Sequence, residues 1–132
     1  MQEMNFNINI LGTKYLFKFA SRESDKYLAE CDGYCDKTSN IIAVLSEDPK
    51  SNYDNYKNYQ KKVVRHEIIH AYLNESGLQE NYEHSRQFGH DETMIDWFAI
   101  QLPKINRTIK EVYSRMEESE NISDNTQDIS EV

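Results

Sequence analysis

The chain has 132 residues and a mass of 15.6 kDa, which suits one domain and excludes two full-sized ones. Its mean hydropathy of -0.84, without any long uncharged apolar run, excludes a membrane-spanning helix. With 15 basic and 23 acidic residues and a net charge of -8, the chain is poorly suited to binding a nucleic-acid backbone. The first residues lack the basic region of a secretory signal, and only two cysteines are present. We therefore predict a cytoplasmic protein that binds neither nucleic acid nor membrane.

The negative charge is concentrated at the end of the chain. Residues 117–132 contain six acidic residues, no basic residue and no aromatic residue. Such a segment buries too little apolar surface to offset its ordering entropy, so we predict a disordered acidic tail. Residues 1–116, with 15 bases and 17 acids (23 minus six), are predicted to form a single folded domain.

The first third of the domain has the patterns of β-strands. Residues 5–10 alternate polar and apolar side chains, and residues 15–20 are rich in aromatics, so the two predict a hairpin. We predict a third strand around residues 27–31, followed by an Asp-Gly turn. A fourth strand is predicted in the apolar run 40–45.

The remainder has helical patterns. Residues 54–76 contain neither Pro nor Gly, and Gly77 lies where a left-handed helix cap is expected. A second helix is predicted from Glu92 to about residue 102, where Pro103 kinks it or opens a third helix that runs to about residue 116. The predicted fold is therefore α+β, with a small antiparallel sheet packed on the first helix and two further helices behind it.

The centre of the first predicted helix carries the motif HExxH, formed by His66, Glu67 and His70. The four-residue spacing places both imidazoles on one helix face, where they can share a metal ion. Glu67 is rotated by about 100° from His66 and can take a proton from water beside the metal. The alternative is a pair of histidines satisfied by hydrogen bonds in a core. We favour a zinc ion (Zn²⁺), because burying these three groups together is costly without a compensating charge.

A catalytic zinc site needs a third protein ligand and one open position. The downstream candidates are His84, His90, Asp91, Glu92 and Asp96. Glu92 and Asp96 share a helix face, so we predict Glu92 as the ligand and Asp96 as acceptor of a ligand histidine's second N–H. Two alternatives remain open: His84 or His90 replaces Glu92, or the two acids only complement the helix dipole.

HExxH followed by ExxxD resembles the thermolysin-type zincins. More closely, RHEIIHAYLNESGL and DETMIDWFAIQLPKI resemble the ImmA/IrrE-type metallopeptidases of bacteria, phages and mobile elements. In that family the second helix carries Glu, then Asn or Asp four residues on, then Phe-Ala and a later Pro, and Glu92, Asp96, Phe98, Ala99 and Pro103 match these places. The resemblance implies a zincin-like active-site helix under a small sheet and, for several members, cleavage of regulatory proteins such as repressors. The chain departs from the family pattern because it begins directly with a hairpin and has no recognisable helix-turn-helix.

These patterns together predict a zinc metallopeptidase that hydrolyses a peptide bond in a protein substrate. Glu67 is the predicted general base and later acid. Four loop residues are candidates for stabilising the transition state: Tyr82, His84, Arg86 and His90. The alternative from another functional class is a non-catalytic binding module that keeps its metal for stability and acts through a protein partner.

Cys31 and Cys35 form a second, weaker metal-ligand pattern. A structural zinc site needs four ligands, and the chain has no second cysteine pair. We therefore predict two reduced thiols.

Overall fold

The structure, a computed structural model, describes residues 2–47, 53–77 and 92–130; the side chains of residues 92, 93, 95, 96, 99 and 122–130 lie outside this description. It confirms the α+β class, with one four-stranded sheet and two α-helices in the described ranges. Neither of these helices contains an apolar stretch long enough to cross a membrane.

The strands are β1 (Met4–Ile10), β2 (Thr13–Ala20), β3 (Gly33–Asp36) and β4 (Ile41–Leu45), arranged in the order β1-β2-β4-β3. The β1–β2 and β3–β4 pairs are antiparallel, but β2 and β4 are parallel. The predicted antiparallel sheet is therefore wrong in this one pairing, and the sheet is mixed. The apolar β4 has four of its five residues buried, so it takes a central position and leaves β3 at the edge.

The predicted β1–β2 hairpin is confirmed. Along β1 the apolar side chains turn towards the helices while Asn5, Asn7 and Asn9 are exposed, as the alternation requires. The turn residues Leu11 and Gly12 have φ values of 51° and 92°, the mirror-image turn that matches strand twist. The Asn9 Oδ1 atom accepts a hydrogen bond from the Gly12 N–H at 2.7 Å, which stabilises this turn.

The predicted third strand is wrong. Residues Lys26–Ala29 form a short 3-10 helix, because the Asp25 side chain caps it by accepting the Tyr27 N–H at 3.0 Å. Asp25 is also held by the Lys18 ammonium at 2.6 Å. The strand begins later, at Gly33, which was predicted to be a turn residue.

The first helix, α1, spans Tyr56–Ser76, close to its predicted range. It begins at Asn55, whose side chain accepts the Asn58 N–H at 3.1 Å. It ends at Gly77, whose φ of 79° confirms the predicted left-handed cap. Its position is therefore set by local signals at both ends.

The second helix, α2, spans Glu92–Ser130 and runs through Pro103 without a break, so the predicted third helix is wrong. A proline inside a helix removes one backbone hydrogen bond, at a cost of roughly 3 kcal/mol, and packing on both sides of it offsets this. The helix also includes most of the segment for which the sequence predicts a disordered tail. Glu120 in that segment pairs with Lys57 at the start of α1.

The helices pack on one face of the sheet and enclose the main core. Buried side chains from β1, β2 and β4 meet those of α1 and α2 there: Ile8, Ile10, Tyr15, Phe17, Phe19, Ile42, Val44, Val64, Ile68, Ala71, Tyr72, Ile105, Val112 and Met116. The opposite sheet face carries a smaller cluster of Ala20, Leu28 and Ala43 beneath the 3-10 helix. The C-terminal half of α1 is tied to β2 because Tyr15 and Thr13 both donate hydrogen bonds to Glu75, at 2.6 and 2.8 Å.

We expect Gly33→Ala to lower the free energy of unfolding by about 1–3 kcal/mol, since overpacking forces neighbouring atoms apart. An added Cβ would lie 2.6 Å from Val63 Cγ1, 3.2 Å from the Ala43 carbonyl oxygen and 3.3 Å from Glu67 Cγ. Urea denaturation measures the change. The double variant Gly33→Ala/Val63→Ala should be less destabilised than the sum of the single variants, and strict additivity would contradict this packing.

Candidate metal and catalytic site

The two histidines of the motif lie together on one exposed face of α1. Their Nε2 atoms are 3.1 Å apart and their ring centroids 4.8 Å apart. The His66 side chain is 65% exposed, whereas only 8% of the Glu67 side chain is exposed. The prediction that all three groups are buried is therefore wrong for the imidazoles, because α1 is buried on its sheet and α2 sides and open on the histidine side.

Glu67 is buried because it lies against the start of β3. The position of a Cβ on Gly33 would be only 3.3 Å from Glu67 Cγ, so the absence of a side chain there makes room for the carboxylate arm. Loss of hydration raises the pKa of Glu67 to about 7. The nearest described histidine nitrogen, Nε2 of His66, is 4.0 Å from the carboxylate.

The protonation state of the histidine pair is compatible with binding a metal ion. The pKa of His70 is lowered, first by desolvation and second by the adjacent His66. Two ring nitrogens this close cannot both carry a proton towards each other, so at least one presents a lone pair. The neutral imidazole is the form that ligates metals.

Strand β3 brings Gly33 and Cys35 close to the motif, a position that the sequence interpretation missed. Cys35 is next to Gly33 on the same face of the strand, and burial, followed by the charge of Glu67, raises the pKa of its thiol to about 11. Cys31 and Cys35 are both free cysteines, as predicted. The signal for this strand was Gly33, which is required by the close approach of α1 and not by a turn.

A polar network fixes the beginning of β3 to α1. The Tyr59 hydroxyl donates to Asp32 Oδ2 at 2.6 Å, and the Arg22 guanidinium binds the other oxygen at 2.8 Å. Asp32 directly precedes Gly33, so this network holds the start of the strand against the first turn of α1. Tyr59 therefore helps to position β3.

The described contacts of α2 lie on a different side of α1 from the histidines. Tyr72, which contacts Thr108 of α2 at 2.8 Å between hydroxyl oxygens, follows His70 by two residues and so points roughly 160° away. Nearer its start, α2 contacts the last residue of α1 through a 3.0 Å hydrogen bond from Trp97 Nε1 to Ser76 Oγ. These contacts alone do not bring the beginning of α2 to the histidine face.

Glu92 and Asp96 lie four residues apart in α2, as predicted, but their side chains are outside the described part of the structure. The same holds for the whole of Tyr82, His84, Arg86 and His90. Among the side chains that are described, no third His, Cys, Asp or Glu joins the histidine pair to complete a metal site. The third ligand therefore stays a prediction.

The chain matches no protein-family model, no curated protein and no solved structure. The interpretation of the site therefore rests on the motif and on its geometry.

We expect the metal-free protein to lose stability between about pH 4.5 and 7 because of Glu67. Its folded-state pKa of about 7 lies above its usual value of 4.5, so the neutral carboxyl is tolerated but the buried carboxylate is not. The contribution of Glu67 to the free energy of unfolding is thus fully present below pH 4.5 and is lost as the pH rises through 7.

Urea denaturation of wild type and Glu67→Gln across this range, with EDTA present, isolates the effect. The isosteric amide does not titrate, so the variant should gain stability relative to wild type as the pH rises. A difference between the two proteins that is constant with pH would contradict the burial of Glu67.

Proposed function

We propose that this protein is a zinc-dependent metallopeptidase that hydrolyses a peptide bond in a protein substrate. The observation that carries the proposal is the exposed pair of Nε2 atoms, 3.1 Å apart, beside the buried Glu67 carboxylate. This arrangement combines two metal ligands with one potential proton acceptor on a single helix.

The spacing of the two nitrogens suits a zinc ion. Two ligands about 2.0–2.1 Å from a tetrahedral zinc ion lie roughly 3.3 Å from each other. His66 and His70 would need only a small adjustment from 3.1 Å to reach this separation. Glu92 is the proposed third ligand, with Asp96 orienting a ligand histidine, and His84 or His90 is the alternative third ligand.

When bound, a zinc ion supplies Lewis-acid activation of a peptide carbonyl and of water. Glu67 is the proposed general base that accepts the proton of the attacking water and returns it to the leaving amine. The packing of Glu67 against Gly33 limits the positions that the carboxylate can take. Donors to the oxyanion are proposed to come from Tyr82, His84, Arg86 or His90.

The edge strand β3 supports a peptide as the substrate. It lies beside Glu67 and pairs only with β4 within the described sheet, so its other edge has backbone groups available to an extended chain. With the resemblance to the ImmA/IrrE-type peptidases, we propose that the substrate is a cytoplasmic regulatory protein, such as a repressor of a phage or mobile element. The free thiols Cys31 and Cys35 are compatible with a reducing compartment.

The second candidate function is a non-catalytic binding module that grips a protein partner. It rests on the same exposed histidine pair and on the edge of β3, which pairs only with β4 within the described sheet. A module of this kind would use the metal for stability and the β3 edge for its partner.

We expect the purified protein to contain about one zinc ion per chain and His66→Ala or His70→Ala to lose it, because each variant removes one of the few ligands. Elemental analysis measures the metal content. Glu92→Ala should also lose zinc, whereas His84→Ala and His90→Ala should retain it. If Glu92→Ala retains zinc and His84→Ala or His90→Ala loses it, that histidine and not Glu92 is the third ligand.

We expect Glu67→Gln to keep zinc and the fold but to abolish cleavage of the natural target, since the amide cannot accept a proton. The measurement is a proteomic comparison of cells that express wild type and variant, searching for fragments present only with wild type. Lys62→Gln, an exposed change on the same helix, is the control. A biological effect that Glu67→Gln leaves intact would favour the binding module.

A further inference from the structure

A cavity of about 500 Å³ lies on the other side of the molecule from the histidines, where the β1–β2 turn meets α2. Its volume is in the range of small-molecule sites. Tyr72 forms part of its wall and points away from the histidine face of α1. The cavity is therefore separate from the proposed zinc site.

Two basic residues of α2, Lys104 and Arg107, line this cavity one helical turn apart. Both are exposed, and neither side chain has an ion pair or hydrogen bond within the described ranges. Four described cations have carboxylate partners, namely Lys18, Arg22, Lys57 and Arg115, and Lys104 and Arg107 belong to the larger group without one. What distinguishes these two cations is their position, because both line one cavity and so point to an anionic ligand there.

Of the three neutral polar side chains that line the cavity, one has hydrogen-bond donors available to a ligand and two do not. The Tyr72 and Thr108 hydroxyls are 2.8 Å apart, and both lie within hydrogen-bond distance of the Lys104 carbonyl, so their protons are used inside the protein. The Asn9 side chain uses only its oxygen, for the Gly12 N–H, which leaves its amide N–H groups for a ligand. Asn9, Lys104 and Arg107 together supply donors of the kind that a phosphate group requires.

Glu111 also lines the cavity, one turn after Arg107. Its carboxylate repels a bare anion but accepts hydrogen bonds from hydroxyl groups. A ligand that satisfies both ends of the cavity has an anionic group for the two cations and hydroxyl donors for Glu111. We propose that this cavity binds a sugar phosphate, with the phosphate monoester at Lys104, Arg107 and Asn9 and sugar hydroxyls at Glu111.

Isothermal titration calorimetry of the full chain at low ionic strength tests this proposal with ribose 5-phosphate, AMP, inorganic phosphate and ribose. We expect saturable binding of ribose 5-phosphate and none of ribose. If AMP binds more tightly than ribose 5-phosphate, the sugar phosphate that the cavity takes is part of a nucleotide. If ribose 5-phosphate binds more tightly, it is a free sugar phosphate. The proposal is overturned if ribose binds as well as ribose 5-phosphate, or if no phosphate compound saturates the protein below about 10 mM.

Variants separate this cavity from general charge effects. Arg107→Gln and Lys104→Gln should each weaken ribose 5-phosphate binding about tenfold or more, because each removes a charge-assisted contact. Lys62→Gln makes the same charge change away from the cavity and should leave the affinity within about twofold. Glu111→Gln should reduce the preference for ribose 5-phosphate over inorganic phosphate. Equal affinity in wild type, Arg107→Gln and Lys104→Gln would rule out this site.

The test is independent of the proposed peptidase. Binding should be unchanged in Glu67→Gln and after EDTA treatment, since neither alters the cavity. Loss of ribose 5-phosphate binding in Glu67→Gln would overturn the proposal of a separate site.

Discussion

The contact between Gly33 of β3 and the Glu67 side chain of α1 determines the geometry of the candidate site. Because Gly33 has no Cβ, the helix approaches the strand closely and the carboxylate is buried between them. The core side chains Val64, Ile68 and Ala71 set the rotation of α1 about its axis, and Glu67 is buried beside them against Gly33. With this rotation His66 and His70 project into solvent beside the edge strand, and the pKa of Glu67 rises towards neutrality. The raised pKa of Glu67 therefore follows from its burial against β3, and the exposure of the histidines follows from the core packing of α1.

The long helix α2 packs on the side of α1 that lies away from the histidines. It packs antiparallel to α1 through contacts that run from Lys57–Glu120 at one end, past Tyr72–Thr108, to Ser76–Trp97 at the other. These contacts occupy the helix side away from His70, so the cationic cavity beside α2 and the histidine face of α1 are separated by the body of the helix. The two proposed activities, peptide hydrolysis and sugar-phosphate binding, can therefore be tested with different variants.

The elements predicted correctly are those with short-range signals. The β1–β2 hairpin follows from strict alternation, and α1 follows from an uninterrupted helical run that ends at Gly77. The errors arose where contacts with distant parts of the chain decide the local structure. The segment after β2 contains Tyr27, a residue type common in strands, but Asp25 caps a 3-10 helix there with support from Lys18 on β2. Gly33 was assigned to a turn because its role, contact with α1 more than 30 residues later in the chain, is invisible in local sequence. Similarly, α2 continues through Pro103 because core contacts on both sides outweigh one lost hydrogen bond.

The sequence by itself determined that His66, Glu67 and His70 lie on one helix at ligand spacing, because backbone hydrogen bonding sets residues four apart on the same face whatever surrounds them. It also determined that a carboxylate pair, Glu92 and Asp96, follows on a second helix with the same spacing. Only the tertiary structure decided which of the motif's groups is buried and which is exposed, that β2 and β4 pair in parallel, and that Lys104 and Arg107 of α2 line a cavity. Those properties depend on how elements distant in sequence pack, and packing depends on the combined shape and charge of many side chains rather than on the spacing of a few.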